Sequence, residues 1–146
     1  MEFQKIGTDY FIRVDKGDEI LSSIIEVCRF ARITSAIFQG IGACDQVVVS
    51  TYLPETESFL DHKKQGMLEM ISLNGNVVQG KNNFSQHAHA LFSYLNDQQE
   101  MAFLGGHLTS ARVRYTAEIK LSPVEGTIHQ CFDPNIGIDV WDLKQT

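Results

Sequence analysis

Three of the chain's five histidines, His87, His89 and His107, fall between Phe84 and Leu108. His87 and His89 are two apart, and residues two apart on a strand point to the same face. Two imidazoles would therefore project together. A polar turn, Asn96-Asp97-Gln98-Gln99, then reverses the chain, and a second apolar run leads back to His107. Three neutral imidazoles on one face, with a fourth position open, form a ligand set for zinc or a similar divalent cation. The competing reading is a polar pocket whose histidines hold no ion.

Whether His107 joins the other two is a question of strand parity. If Leu95 pairs with Glu100, His107 falls opposite Ala88 and faces the wrong way. One extra residue in the return strand restores the parity. Gly105-Gly106 is the expected place for it, because glycine tolerates the positive φ of a bulge. A turn of odd length would have the same effect.

A carboxylate enters the same argument. Residues Gly66 to Asn76 read as a strand that ends in an Asn74-Gly75 turn. Met67, Glu69, Ile71 and Leu73 alternate onto one face, and Leu68, Met70 and Ser72 onto the other. A buried, unpaired carboxylate costs several kcal/mol. Glu69 therefore either reaches solvent or serves the histidines, as a general base or by orienting an imidazole through its second nitrogen.

The elements that must position these residues are mostly strands. Asp9 to Asp15 is rich in β-branched and aromatic residues and reads as a strand. Asp18 sits where a helix N-cap belongs, and Glu19 adds negative charge to the first turn. Ile20, Leu21, Ile24, Ile25, Val27, Cys28 and Ala31 then recur at helical spacing, which predicts one amphipathic helix ending near Arg32. Thr34 to Gln39 predicts a strand broken by Gly40-Ile41-Gly42, and Ala43 to Leu53 predicts another, stopped by Pro54. Ser58 to Lys63 predicts a short edge strand whose charges discourage pairing. Gly80 to Asn83 connects to the histidine hairpin. From Ala111 to Ser122, Val113, Tyr115, Ala117, Ile119 and Leu121 alternate with polar residues as a half-buried strand. Thr127 to Asp133 predicts a last strand, Asp133-Pro134-Asn135 a turn, and Ile138 to Leu143 a tail that packs on something. The expected fold is α+β: an antiparallel-dominated mixed sheet with one main helix packed on it.

Composition narrows the function. The chain has 146 residues, which suits one domain, 1–146. Twelve basic residues against 18 acidic give a net charge of −6. Affinity for nucleic acid comes largely from Lys and Arg neutralising phosphates, so direct DNA binding is poorly supported. Arg112 with Arg114, and Lys63-Lys64, read as solvated faces. No apolar run approaches the ~20 residues of a membrane span, and the first residues lack the pattern of a secretory signal. Cys28, Cys44 and Cys131 are scattered and odd in number, which argues against a disulfide framework and for a reducing cytoplasm. Cys28 lies on the apolar helix face and is expected in the core.

Several stretches together resemble the plants-and-prokaryotes-conserved (PPC) domain, a domain of unknown function described as resembling a DNA-binding motif. They are Lys16-Gly-Asp-Glu-Ile20, Phe38-Gln-Gly-Ile-Gly42, Leu68-Glu-Met-Ile-Ser-Leu-Asn-Gly75, His87-Ala-His89 and Gly105-Gly-His-Leu108. The last two are the most specific. Asn96 to Leu104 departs from the acidic-glycine turn common in that family. The resemblance implies a compact domain that assembles as a homotrimer, with His87, His89 and His107 holding a metal, usually zinc. In plants the domain is joined to an AT-hook, an Arg-Gly-Arg-Pro segment that grips the minor groove, and this chain contains none.

Two functions follow. One is a trimeric metal-binding domain that acts as a regulatory or assembly protein, with protein partners in a DNA-associated complex and little DNA affinity of its own. The other is a small metal-dependent hydrolase or lyase that uses water bound at the three histidines, with Glu69 as candidate base.

Overall fold

A computed structural model describes residues 1–80 and 83–143. The Gly80–Asn83 connection expected from the sequence includes positions 81 and 82, which lie outside the described residues. A strand the sequence pattern does not announce, β1 (Glu2–Ile6), opens the chain and pairs with β2 (Asp9–Asp15). The single helix among the described residues, α1 (Ile20–Ala31), follows. Then come β3 (Ser35–Leu53), β4 (Ser58–Gln79), β5 (Phe84–Leu95), β6 (Met101–Pro123), β7 (His129–Asp133) and β8 (Ile138–Asp142).

Every strand pairing among the described residues is antiparallel, so the sheet is not the mixed one expected. The chain is α+β in the sense of an antiparallel sheet carrying one short helix. The order β1-β2-β6-β3-β4-β5 closes, because β5 also pairs with β6. Strands β3, β4, β5 and β6 therefore form a ring, with β1 and β2 extending it from β6. β6 pairs with β5 over its first part and with β2 over its second. Residues just before the helix fill the gap between: Gly17 N donates to Val113 O (2.9 Å), Val113 N donates to Asp18 O (2.9 Å), and Ala111 N donates to Glu19 Oε1 (3.0 Å).

That arrangement fixes the helix start. Glu19, not Asp18, is the N-cap, and its Oε2 accepts from Ser22 N at 2.7 Å. Asp18 pairs instead with the Met1 amine at 2.9 Å. The stripe Ile20, Leu21, Ile24, Val27 and Cys28 is buried in the common core with Phe38, Leu68, Met70, Phe92, Val113 and Leu121. Burying each large apolar side chain contributes about 1.5–3 kcal/mol. Cys28 is in the core as expected, and burial pushes its thiol up to about 11.

Two strands run further than their local sequence indicates. Gly40-Ile41-Gly42 does not break β3, which continues through it with a register shift. A β-carbon on Gly42 would meet Ala117 at 2.7 Å, so the glycine serves close strand packing. Ser58 to Lys63 is the start of the 22-residue β4, paired along its length with β3. Asn74-Gly75 is not a turn, and β4 passes straight through it. β7 and β8 make a separate ribbon on which Phe132, Ile138 and Trp141 stay exposed, so the tail pairs with β7. Asp133 shapes its turn, accepting Asn135 N on its side chain at 2.8 Å.

Candidate metal centre

The hairpin of β5 and β6 decides where the histidines point. Its connection, Asn96 to Glu100, is odd in length. Asn96 Oδ1 accepts from Gln98 N and Glu100 N, both at 2.9 Å, and Gln99 takes a left-handed φ of 61°. Leu95 therefore pairs with Met101, and an unbroken register follows down to His89 opposite His107. The parity is set by the turn. No bulge forms between β5 and β6 at Gly105-Gly106. These glycines meet a different demand: a β-carbon on Gly106 would come within 2.9 Å of Ser50 O, and Gly106 has φ +155°.

The three imidazoles converge. Each offers a ring nitrogen, and these nitrogens all lie within 4.8 Å of one another. His87 Nε2 and His89 Nε2 are 3.2 Å apart. Ring centroids are separated by 5.2 Å (His87–His89), 5.3 Å (His87–His107) and 5.6 Å (His89–His107). His107 also rests against the Phe59 ring at 5.4 Å. Burial first, and then His87, holds His89 below its ordinary value of 6.5. The same causes, with His89 added, lower His107. Both shifts favour the neutral imidazole, which is the form that ligates metal.

The donor set fits a divalent cation. Zinc holds imidazole nitrogen at about 2.0–2.1 Å, so the edge of its tetrahedron is about 3.3 Å. The His87–His89 separation already matches that edge. His87 and His89 are exposed, so the side away from the sheet is open to solvent. No carboxylate belongs to the group among the described residues.

Glu69 is not brought to the histidines. It is exposed and pairs with Ser93, four residues along β5 from His89, or about 13 Å at the rise of a strand. Ile71 also departs from the expected alternation. Met70 pairs with Phe92 and Ser72 with Leu91, so Ile71 is an extra, unpaired residue. The bulge returns Leu73 to the core beside Leu68 and Met70 and leaves Glu69 and Ile71 outside.

Sequence reasoning missed the residues that flank the centre. Asn74 pairs directly with His89, and Asn76 with His87. Directly opposite residues share a face, with β-carbons about 4.5–5.5 Å apart. On the other side Ser50 pairs with His107. The Ser50 hydroxyl lies 2.7 Å from Asp61 Oδ1 and 2.8 Å from Thr109 Oγ1. Only the continuity of β4 through Asn74-Gly75 would have indicated the asparagines. A cavity of about 890 Å³ on the outer face is lined by Asn74, Ile41, Ile71, Phe11, Arg13, Glu118 and Lys120 among others.

Known structures share this fold. A metal-containing protein from Archaeoglobus fulgidus aligns over 97% of this chain and 98% of its own, with 27% identity and a TM-score of 0.82. A plant- and prokaryote-conserved protein from Pyrococcus horikoshii aligns over 99% of this chain and 97% of its own, with 29% identity and a TM-score of 0.78. A Bacteroides thetaiotaomicron protein provisionally named as DNA-binding aligns over 99% and 98%, with 23% identity and a TM-score of 0.88. No curated protein sequence matches the chain. Residues 1–125 match the Plants and Prokaryotes Conserved (PCC) domain, the family anticipated above under the initials PPC, and the chain belongs to that family.

Proposed function

We propose that this protein is a metal-binding domain in which His87, His89 and His107 hold a divalent cation, zinc first, and that it works as a homotrimeric assembly or regulatory protein. One observation carries the reading: three ring nitrogens within 4.8 Å of one another, fixed by an unbroken β5–β6 register. The metal-containing A. fulgidus protein supports it. Exposed apolar residues on the ring strands, among them Ile37, Leu91 and Phe103, support self-association. DNA-associated partners are suggested by the name of the B. thetaiotaomicron relative. Direct contact with DNA is disfavoured by a net charge of −6.

The test is metal analysis of the purified protein beside His89→Ala. Near one metal per chain is expected for the wild type and less than a tenth of that for the variant, with both folded by circular dichroism. Equal metal in the two would refute the reading. Light scattering reports the trimer. Fluorescence anisotropy with duplex DNA at two salt concentrations is expected to show weak, salt-sensitive binding at most.

A metal-dependent hydrolase or lyase is the second reading, favoured by the cavity that Asn74 helps to line. A three-histidine zinc would supply water acidified to a pKa of about 7. Chelator-sensitive turnover of an ester or carboxylate substrate would support it.

A further inference from the structure

The three imidazoles bring no negative charge, and no carboxylate joins them among the described residues. A divalent ion held there would keep its full charge, with its open side toward solvent. Such a centre favours an anionic oxygen as its remaining ligand. Two amides stand beside it. Asn74 and Asn76 are the register partners of His89 and His87, and neither side chain has a hydrogen-bond partner among the described residues. A primary amide presents two N–H donors, and a carboxylate accepts such bonds on both oxygens.

Asn74 belongs to two places at once. It faces His89, and it lines the 890 Å³ cavity. Beyond it the lining mixes apolar with polar side chains: Ile41, Ile71 and Phe11, 57%, 45% and 44% exposed, stand beside Gln39, Gln4 and Glu118. Cavities of roughly 300–1,000 Å³ suit small organic ligands. The cations that line it are already engaged. Arg13 pairs with Glu2 and Asp15, both at 3.0 Å, and Lys120 with Asp9 at 2.9 Å. A second anionic group would find no free partner there, whereas an alkyl chain would cover exposed isoleucine and phenylalanine.

We infer that the centre receives a small organic monocarboxylate, its head hydrogen-bonded by Asn74 and Asn76 on the open side of the histidines and its apolar tail lying along Ile41 and Ile71. This rests on the metal reading above. The test uses intact, metal-free protein loaded with cobalt(II), whose visible bands report the ligands around it. Acetate and hexanoate are titrated separately at constant ionic strength. Both are expected to shift the bands, with hexanoate half-saturating at a concentration at least about tenfold lower, because its extra methylenes are buried. Asn74→Leu is expected to weaken both acids about fivefold without loss of cobalt. Ile71→Asn is expected to abolish the hexanoate advantage over acetate. Cobalt bands that respond to neither acid overturn the inference while leaving the metal reading intact. A response to acetate with no advantage for hexanoate overturns the cavity assignment and fits a cavity covered by a second copy of the chain. Failure to bind cobalt removes the metal reading itself.

Discussion

The ring of Phe38 fills the space that a side chain on Gly75 would need: a β-carbon there would lie 2.4 Å from Phe38 Cζ and 2.6 Å from His87 O. Gly75 sits between Asn74 and Asn76 and pairs with Ala88, between His87 and His89. The core contact and the candidate metal centre therefore lie on opposite faces of the same short piece of sheet. Gly75→Ala is expected to cost about 1–3 kcal/mol in urea unfolding, as overpacked cores do. Combining it with Phe38→Leu should recover part of that loss. A Gly75→Ala protein as stable as wild type would show that the contact is not as close as described.

The second prediction concerns the length of the β5–β6 turn. Removing Gln98 and re-forming the five-residue turn brings Ala102 opposite Leu95 and His107 opposite Ala90, because a one-residue slip turns every side chain to the other face. Bound metal should fall below a tenth of the wild-type content while the circular dichroism spectrum remains that of a sheet. A shortened hairpin that still holds one metal per chain would contradict the register argument.

Protonation of the metal-free protein has a definite sign. The folded values of His89 and His107 lie below 6.5. The unfolded chain therefore binds more protons than the folded one between the two values. Stability from these groups is fully present above about pH 6.5 and declines as pH falls through the unfolded value. Proton NMR of the imidazoles should find both midpoints below 6.5. Midpoints above it would reverse the sign.

The thiols differ by position. Cys28 and Cys44 are buried, with burial pushing them to about 11 and about 12, whereas Cys131 is exposed on β7. A thiol reagent at pH 8 should label one cysteine in the native protein and three after unfolding. Fast native labelling of all three would argue against the core described here.

What the residues themselves disclosed was local. The helix stripe, the β2 strand and the pairing of His87 with His89 follow from period and spacing alone. So did the alternatives for His107, of which the odd turn is the one realised. The failures have one physical origin, since they depend on partners far along the chain. Asn74-Gly75 has the composition of a turn, yet Phe38 from β3 claims the space over Gly75 and holds the backbone extended. The bulge at Ile71 has no residue signature, so simple alternation puts Leu73 on the wrong face. Alternation turns Tyr115 inward, yet it is 61% exposed, because β6 has three residues from Arg114 to Thr116 opposite Ala43 alone. β1 is short and polar, and only its pairing with β2 makes it a strand. Once β4 is continuous, Glu69 lies well along the sheet from the histidines, and Asn74 and Asn76 take the positions beside them.

X-ray absorption at the zinc edge of the loaded protein tests the central claim most directly. Three imidazole nitrogens at about 2.0 Å, with one further oxygen or nitrogen scatterer completing four-coordination, is the predicted result. A sulfur shell at about 2.3 Å, or fewer than three imidazoles, would mean that His87, His89 and His107 do not act together.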